Sequence, residues 1–276
     1  MKKQLVVLYV IIILICIISL IVAVYTQVEQ ENTNTTFANS KNEIIEQVAT
    51  QEDLKREFNS FFINSITVSN YDVSTIQKND ETKPIVDSVH AIRTGENKFD
   101  ITVNIPIFNI KSSITDSYNT QIQSMFLDKA NIILASTSQS YTIYSVDYTG
   151  YINGDVISLV IKSTLKEGSN PQRDIVATYN YNLKTGKEAT IYDLMLQVGV
   201  EEKSLEKGIK EQVNKAIKEA NEIQATGYNV YTRDINDKMY NIENLSTYFL
   251  GPEGELYVIF PYGNKNLTSE MDIIKM

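Results

Sequence analysis

The 276-residue sequence contains one cysteine, one histidine and no tryptophan. A single cysteine, Cys16, cannot support a disulfide framework, and it leaves the chain beyond residue 24 without thiolate chemistry. A single histidine, His90, excludes zinc sites that are built from several histidines. We therefore expect no cofactor, and a fold that is stabilised by an apolar core, which a domain of about 210 residues can supply without disulfides.

Charged residues are absent from Leu5 to Val24, where only Ser19 is clearly polar. At about 1.5 Å per residue, a helix of this length spans about 30 Å, the thickness of the hydrocarbon core of a bilayer. Lys2 and Lys3 precede the run, so the positive-inside rule predicts a cytoplasmic N-terminus and an extracellular remainder. The run exceeds the apolar core of a cleaved signal peptide, which favours an uncleaved single-pass anchor in contact with membrane lipid.

Basic residues are outnumbered, with 25 Lys and Arg against 34 Asp and Glu and a net charge of −9. Setting Lys2 and Lys3 aside leaves 23 basic residues outside the membrane, a net charge of −11. This balance disfavours nucleic acid and anionic wall polymers as ligands, and it favours a cationic partner. The alternative is a solvated acidic surface that has no partner.

The pattern divides the chain into a cytoplasmic tail (1–4), an anchor (5–24), a spacer with a juxtamembrane helix (25–64) and an extracellular domain (65–276). Ser40 and Glu43 have the spacing of a capping box at a helix start. Apolar residues then recur at helical intervals, and the helix is expected to break near Thr50 and to pack on the domain: Leu54, Phe58, Phe61 and Phe62.

Alternating apolar and polar residues predict strands beyond residue 65. The alternation is clearest in 99–107, where Pro106 predicts an edge strand or a strand end. Asn153-Gly154, between two strand-like runs, predicts a hairpin. Further strands are expected at 66–76, 85–92 and 174–183, followed by a closing hairpin at 248–262.

Two longer segments have helical periodicity. The apolar stripe of the first consists of Tyr118, Ile122, Met125, Phe126, Ile133 and Leu134. The second runs from about Glu201 to Ile223, with Leu205, Ile209, Val213, Ala216 and Ile217 inward and the ion pairs Glu206–Lys210 and Glu211–Lys215 outward. The predicted fold class is α+β, an antiparallel sheet with two long helices packed on it, preceded by a single transmembrane helix.

Four stretches resemble a known exterior domain: IPIF (105–108), SVDYTGYINGDVISLVI (145–161), YNYNLKTGKEATIYDL (179–194) and TYFLGPEGELYVIF (247–260). The resemblance covers residues 65–276. The domain is shared by the sigma-V anti-sigma factors of Gram-positive bacteria and certain peptidoglycan deacetylases. It implies a non-catalytic α+β domain of the cell envelope, which in the anti-sigma members binds lysozyme as a signal.

The sequence also departs from that family. Gly168-Ser169-Asn170-Pro171 stands where members often have Gly-Gly-Ala-His, so any role of that histidine is absent. Met1 to Gln4 are too few to bind a sigma factor, and we expect no deacetylase domain beside the binding domain. We therefore expect a domain that binds a ligand but neither binds a sigma factor nor deacetylates peptidoglycan.

No motif predicts an enzyme. Strand alternation places Asp87 and His90 on opposite faces, which argues against a serine-hydrolase triad. Ser163-Thr-Leu-Lys166 and Lys184-Thr-Gly186 mimic motifs of penicillin-binding proteins, but too few residues separate them. Asp234, Asn236 and Asp237 suggest calcium, but Lys238 stands where an EF-type loop needs a third oxygen ligand.

Seventeen tyrosines are present, and many lie in predicted strands. Tyrosine suits the interior of a sheet, and it also suits surfaces that bind proteins or sugars. If the strands present a binding face, its expected members are Tyr144, Tyr148, Tyr179 and Tyr181. The alternative is that these residues pack the sheet.

Two hypotheses follow. The first is a membrane-anchored, non-catalytic binding or sensing module of the envelope, whose ligand is a cationic wall-degrading protein such as lysozyme or a cell-wall glycan. The second is a structural or accessory protein that associates with another membrane protein through its juxtamembrane helix.

Overall fold

The computed structural model describes residues 49–69, 71–96, 98–136, 140–262 and 269–276. The chain divides into two compact units, Met1–Ala49 and Thr50–Met276, and the elements below belong to the second. The predicted anchor, the spacer and the capping box at Ser40 lie outside the described residues. Among the residues that are described, no helix is long and apolar enough to cross a membrane.

The first helix, α1, spans Gln51–Ser60 and begins at a capping box. The Thr50 hydroxyl accepts a hydrogen bond from the Asp53 N–H, and the Asp53 carboxylate accepts one from the Thr50 N–H. Leu54, Phe58 and Phe61 are buried, as their spacing predicts. The compact unit therefore includes this helix, which the sequence pattern assigned to a segment that ends at residue 64.

The larger sheet contains seven strands: β1 (Ser65–Ser69), β2 (Val86–Gly95), β3 (Phe99–Phe108), β4 (Thr142–Asn153), β5 (Val156–Glu167), β6 (Arg173–Asn182) and β7 (Lys187–Glu188). Six follow the order β2-β3-β4-β5-β6-β7, and β1 pairs with β4. The pairing is antiparallel except where β3 and β1 meet β4. These two share one edge of β4, because β3 pairs with its first half and β1 with its last five residues.

Pro106 does not mark an edge strand, because β3 lies between β2 and β4. Pairing between β3 and β4 ends at Val103, three residues before the proline. The missing N–H of Pro106 therefore costs no hydrogen bond to β4, which makes the proline compatible with an inner strand.

The hairpin predicted at Asn153-Gly154 is confirmed. Asn153 pairs with Val156, so Gly154 and Asp155 form a two-residue loop between β4 and β5. Gly154 has φ +52°, a backbone conformation that two-residue hairpin loops require and that glycine adopts without steric cost.

The first long helical segment is interrupted by a π turn. Helix α2 (Ser113–Ile122) continues through the π turn Gln123–Leu127 into α3 (Asp128–Ala135). The buried stripe is Tyr118, Ile122, Phe126, Ala130 and Ile133. Met125 and Leu134, predicted to be inward, are 45% and 38% exposed, because the wider turn changes which residues face the sheet.

The second long helix agrees closely with the sequence pattern. A short helix, α4 (Ile191–Val198), precedes α5 (Glu202–Gln224). The predicted inward residues of α5 are buried except Ile217, which is partly buried against the same core. On the outer face, Glu211 pairs with Lys207 at 3.7 Å rather than with the predicted Lys215.

The predicted closing hairpin is present and belongs to a separate sheet. Strands β8 (Tyr248–Leu250), β9 (Leu256–Pro261) and β10 (Met271–Lys275) form an antiparallel sheet in the order β10-β9-β8. The α+β class is confirmed, but the single predicted sheet is wrong. The two long helices also pack on different sheets, α2–α3 on the larger one and α5 on the smaller one.

Helix α1 packs where the two sheets meet. Leu54, Phe58 and Phe61 share one apolar cluster with residues of the larger sheet (Tyr151, Val160 and Val176) and of the smaller sheet (Phe249, Tyr257, Ile259, Met271 and Ile273). The rings of Phe61 and Tyr257 meet edge to face, with centroids 5.5 Å apart. The first helix of the unit is thus part of its core.

Candidate functional site

The four tyrosines predicted to bind a ligand lie in the core of the larger sheet. Tyr144, Tyr148, Tyr179 and Tyr181 are between 2% and 5% exposed. Their contribution to packing agrees with the structural alternative for these residues. Ligand contact through the rings of Tyr144, Tyr148 and Tyr179 would require the core to open.

Two hydroxyl groups join the helical segment to the sheet. The Tyr144 hydroxyl donates to the carbonyl oxygen of Phe126 at 3.1 Å, and the Tyr118 hydroxyl donates to that of Asn180 at 3.0 Å. Burial raises the pKa of Tyr144 and of Tyr179 to about 12. Tyr181 also borders a cavity of about 220 Å³, together with Tyr71 and Lys111.

The motifs that mimic catalytic sites have ordinary structural surroundings. His90 is exposed on β2, and its Nδ1 contacts the side-chain oxygen of Asn104. Ser163 is 2% exposed within β5, where it pairs with Val146 and Ile175. The carboxylates of Asp234 and Asp237 accept hydrogen bonds from the backbone N–H groups of Asn236 and Met239. These contacts account for their positions without a ligand.

A buried ion pair lies between the smaller sheet and the segment that follows α5. Arg233 Nε donates to Asp272 Oδ2 at 2.6 Å, and Arg233 Nη2 donates to Asp272 Oδ1 at 2.7 Å. The Asp272 residue is 0% exposed and the Arg233 side chain 5%. Arg233 also donates to the Tyr231 carbonyl and to Glu270, so its guanidinium is almost saturated with acceptors.

Aromatic rings surround this pair. The Tyr231 and Tyr262 rings stack with centroids 4.4 Å apart, and the Arg233 guanidinium carbon lies 5.5 Å and 5.1 Å from them. The Tyr262 hydroxyl donates to Asp272 at 2.9 Å, and the Tyr240 hydroxyl lies 2.7 Å from that of Tyr262. Because the Tyr262 hydroxyl donates its one hydrogen bond to Asp272, the Tyr240 hydroxyl is the donor in the bond between the two tyrosines.

The surroundings shift the pKa values of Tyr262 and Arg233. Burial, together with the negative charge of Asp272, raises the pKa of Tyr262 far above its usual range, so this hydroxyl stays protonated. Burial alone would lower the pKa of Arg233, but the hydrogen bonds and the charge of Asp272 outweigh it and raise that pKa. The network therefore combines a neutral Tyr262 with a charged Arg233.

Gln51, the first residue of α1, caps the free edge of β10. Its side-chain amide donates to the Ile273 carbonyl and accepts from the Ile273 N–H, both at 2.8 Å. Gln51 is 5% exposed. A single side chain here supplies the two bonds that a neighbouring strand would otherwise make.

A cleft of about 230 Å³ opens beside this network. Its walls come from α1, from the last two turns of α5, from residues 229–233 and from the start of β10: Gln51, Glu52, Lys55, Ala216, Glu219, Ala220, Ile223, Asn229, Val230, Tyr231, Arg233, Glu270 and Asp272. Lys55 Nζ lies 3.1 Å from Glu270 Oε1, which also accepts from Arg233 at 3.0 Å. Both cations of the cleft are thus already paired with carboxylates.

A second charged cluster lies at the other end of β10. Lys275 Nζ is 2.8 Å from Glu57 and 3.0 Å from Glu255, and the Tyr257 hydroxyl donates to Glu57 at 2.9 Å. Burial would lower the pKa of Lys275, but its hydrogen bonds to these groups raise it well above the usual range. This cluster joins α1 to β10, and Lys275 also borders a cavity of about 340 Å³.

Sequence reasoning did not find the cleft. Its parts come from positions 51–55, 216–223, 229–233 and 270–272, and no short motif joins them. One signal was available: Asp272 interrupts the apolar run MDII, and a charged residue within an apolar strand needs a partner.

Comparisons with known proteins leave the family open. No family model matches the sequence, and no curated protein matches it. Among solved structures, a DUF3298 family protein from Pseudomonas aeruginosa has a TM-score of 0.40 at 9% identity, over 70% of this chain and 90% of that chain. A DUF3298 family member from Bacteroides fragilis has a TM-score of 0.41 at 10% identity, over 69% and 89%. Both neighbours belong to an uncharacterised domain family, and at these values the likeness carries no conclusion about function.

Proposed function

We propose that the unit Thr50–Met276 is a non-catalytic binding module of the bacterial envelope, held at the outer face of the cell membrane by Leu5–Val24, and that its ligand is cationic. The observation that carries this proposal is the cleft beside Arg233 and Asp272. It combines a hydrogen-bonded floor with an excess of carboxylates, since four acidic residues and two basic ones line it.

The overall charge supports the same ligand class. The chain carries a net charge of −9, and an acidic surface attracts cationic proteins over distances of about 10 Å at moderate salt. The resemblance to the exterior domain of sigma-V anti-sigma factors favours a lysozyme-like protein within this class. A neutral cell-wall glycan would gain nothing from the charge.

The alternative, an accessory protein that associates through its juxtamembrane helix, receives less support. The apolar face of α1 is occupied within its own unit, where Leu54 and Phe58 are at most 2% exposed. A partner that used this face would have to displace the helix from the core.

The test is a thermal melt of the full chain in detergent micelles, with lysozyme, lysine-acetylated lysozyme, soluble peptidoglycan fragments or calcium. A ligand at 100 times its Kd stabilises the folded state by about 2.7 kcal/mol, which raises the Tm of a unit of this size by several degrees. We expect a shift with lysozyme that weakens as salt increases and is lost on acetylation. A shift with peptidoglycan fragments alone would replace the cationic ligand by a glycan, and the absence of any shift would reject the binding role.

A further inference from the structure

We propose that the cleft binds one lysine or arginine side chain of a partner protein, with the cationic group beside the carboxylates that line the cleft and the aliphatic stem along α5. This inference rests on the proposed function, since it names the group through which a cationic protein would be held.

The size of the cleft favours a side chain over a larger ligand. Pockets for drug-sized molecules occupy about 300–1,000 Å³. The cleft measures about 230 Å³, which is below that range and well above the space of a single water molecule.

One wall of the cleft suits an aliphatic stem. Ala216, Ala220 and Ile223 are spaced by four and three residues, so they form one stripe along α5. Val230 and Tyr231 add apolar surface from the segment that follows the helix. Lysine and arginine stems bury their methylene groups along apolar surfaces of this kind while the charged end remains among polar groups.

The charged end of the ligand would meet carboxylates that have capacity left. Glu219 is half-buried and Glu52 is exposed, and neither has an ion-pair or hydrogen-bond partner within the described part of the chain. Glu270 uses Oε1 for both Lys55 and Arg233, which leaves Oε2 to accept another bond. An ammonium or guanidinium group donates several hydrogen bonds, and each of these carboxylates can accept one from it.

The same geometry disfavours other ligands. An anion would need a free cation, but Lys55 and Arg233 are both paired with carboxylates. A metal ion would need several ligands at short range, and in the described ranges no three His, Cys, Asp or Glu residues come close enough to hold one.

The experiment uses the full chain in detergent micelles and two kinds of ligand. Nα-acetyl-lysine methylamide, with its uncharged norleucine counterpart as control, reports on the cleft itself, and lysozyme reports on a whole protein. Affinities are measured by NMR titration for the amides and by calorimetry for lysozyme, at low salt.

Three variants test the negative charge of the cleft, its free volume, and whether a carboxylate must lie in the cleft to affect binding. Glu219→Gln removes the half-buried carboxylate, and Ala220→Leu fills the cleft without a change of charge. Glu222→Gln is the matched control, because this glutamate is exposed on the same helix and does not line the cleft. We expect the first two to weaken binding of the lysine amide and of lysozyme by about fivefold or more. Glu222→Gln should leave both affinities within about twofold, and the Tm of each variant without ligand verifies its folding.

The outcomes distinguish the inference from the function on which it rests. Lysozyme that binds all variants equally, with no displacement by the lysine amide, overturns the cleft as the site and leaves the binding module in place. Amide binding that depends on Glu219, without lysozyme binding, supports the cleft and rejects lysozyme as the ligand. If neither the lysine amide nor lysozyme binds, both the cleft as a site and the proposed binding function are overturned. Equal binding of the lysine and norleucine amides would overturn the role of charge in the cleft.

Discussion

The hydroxyl of Tyr144, at the start of β4, donates a hydrogen bond to the carbonyl oxygen of Phe126 in the π turn. The two residues are 18 positions apart, and the ring of each is buried. A π turn rearranges the backbone hydrogen bonds of a helix, so a donor from the sheet helps to satisfy the turn at the position where the helix widens.

Replacing Tyr144 by Phe should therefore lower the free energy of unfolding by about 1–3 kcal/mol, because it removes the donor to a buried carbonyl. Tyr179→Phe is the matched control, since no described residue accepts a bond from that hydroxyl, and it should change stability by less than about 0.5 kcal/mol. Urea unfolding followed by circular dichroism measures both. Equal losses of unfolding free energy in the two variants would show that the hydrogen bond to the Phe126 carbonyl does not stabilise the fold.

Stability should fall as the pH rises from about 10 to 12. The pKa of Tyr144 and of Tyr179 is about 12 in the folded chain, against about 10 for an exposed tyrosine. In this window the unfolded chain releases these protons and the folded chain keeps them, which favours unfolding by about 2–3 kcal/mol per tyrosine at pH 12. Urea midpoints between pH 9 and 11.5 measure how steeply the free energy of unfolding falls with pH. Tyr144→Phe should make this fall less steep. An unchanged slope in Tyr144→Phe, or an equal change in the exposed control Tyr192→Phe, would contradict the assignment.

The Arg233–Asp272 pair should show strong coupling in a double-mutant cycle. Arg233→Met leaves Asp272 as an uncompensated buried charge, and Asp272→Leu leaves the buried Arg233 with Glu270 as its one carboxylate partner among the described residues. Each change alone should cost about 3–5 kcal/mol. The double variant should cost much less than the sum, because no charge remains buried. The exposed pair Lys207–Glu211 is the control, with an expected coupling of at most about 0.5 kcal/mol. Additive losses at Arg233 and Asp272 would show that the pair does not act as a unit.

Removing the Gln51 amide should destabilise the edge of β10. Gln51→Met keeps a similar volume but leaves the Ile273 N–H and C=O without their partner, at an expected cost of about 1–3 kcal/mol. Glu52→Met changes the next, exposed residue and should have little effect. Hydrogen exchange gives a local readout, since the Ile273 amide should exchange faster in Gln51→Met alone. Unchanged protection of that amide would show that α1 is not what covers this edge.

Regular periodicity explains which elements could be predicted from the sequence. Helix α5 repeats its apolar residues at intervals of three and four over 23 residues, and its bounds differ from the prediction by one residue. The hairpin at Gly154 was predicted because its turn depends on neighbouring residues alone. Both signals are local, so a single sequence contains them in full.

The missed features depend on contacts between distant positions. The π turn at Gln123–Leu127 has no sequence signature of its own, and it changes which side of the helix Met125 and Leu134 occupy. Strand β10 was overlooked because Asp272 breaks its apolar pattern, and its partner Arg233 lies 39 positions earlier. The cleft was not predicted from the sequence for the same reason, because its walls come from four separate segments.

The two bonds between Gln51 and Ile273 join positions 222 residues apart, at the first helix and the last strand of the unit. Contacts of such high sequence separation slow folding, since a long loop must close before they can form. Until β10 is available, α1 lacks part of the surface on which Leu54 and Phe58 pack. We therefore expect this unit to fold only after its whole length has been synthesised, rather than progressively as the chain emerges.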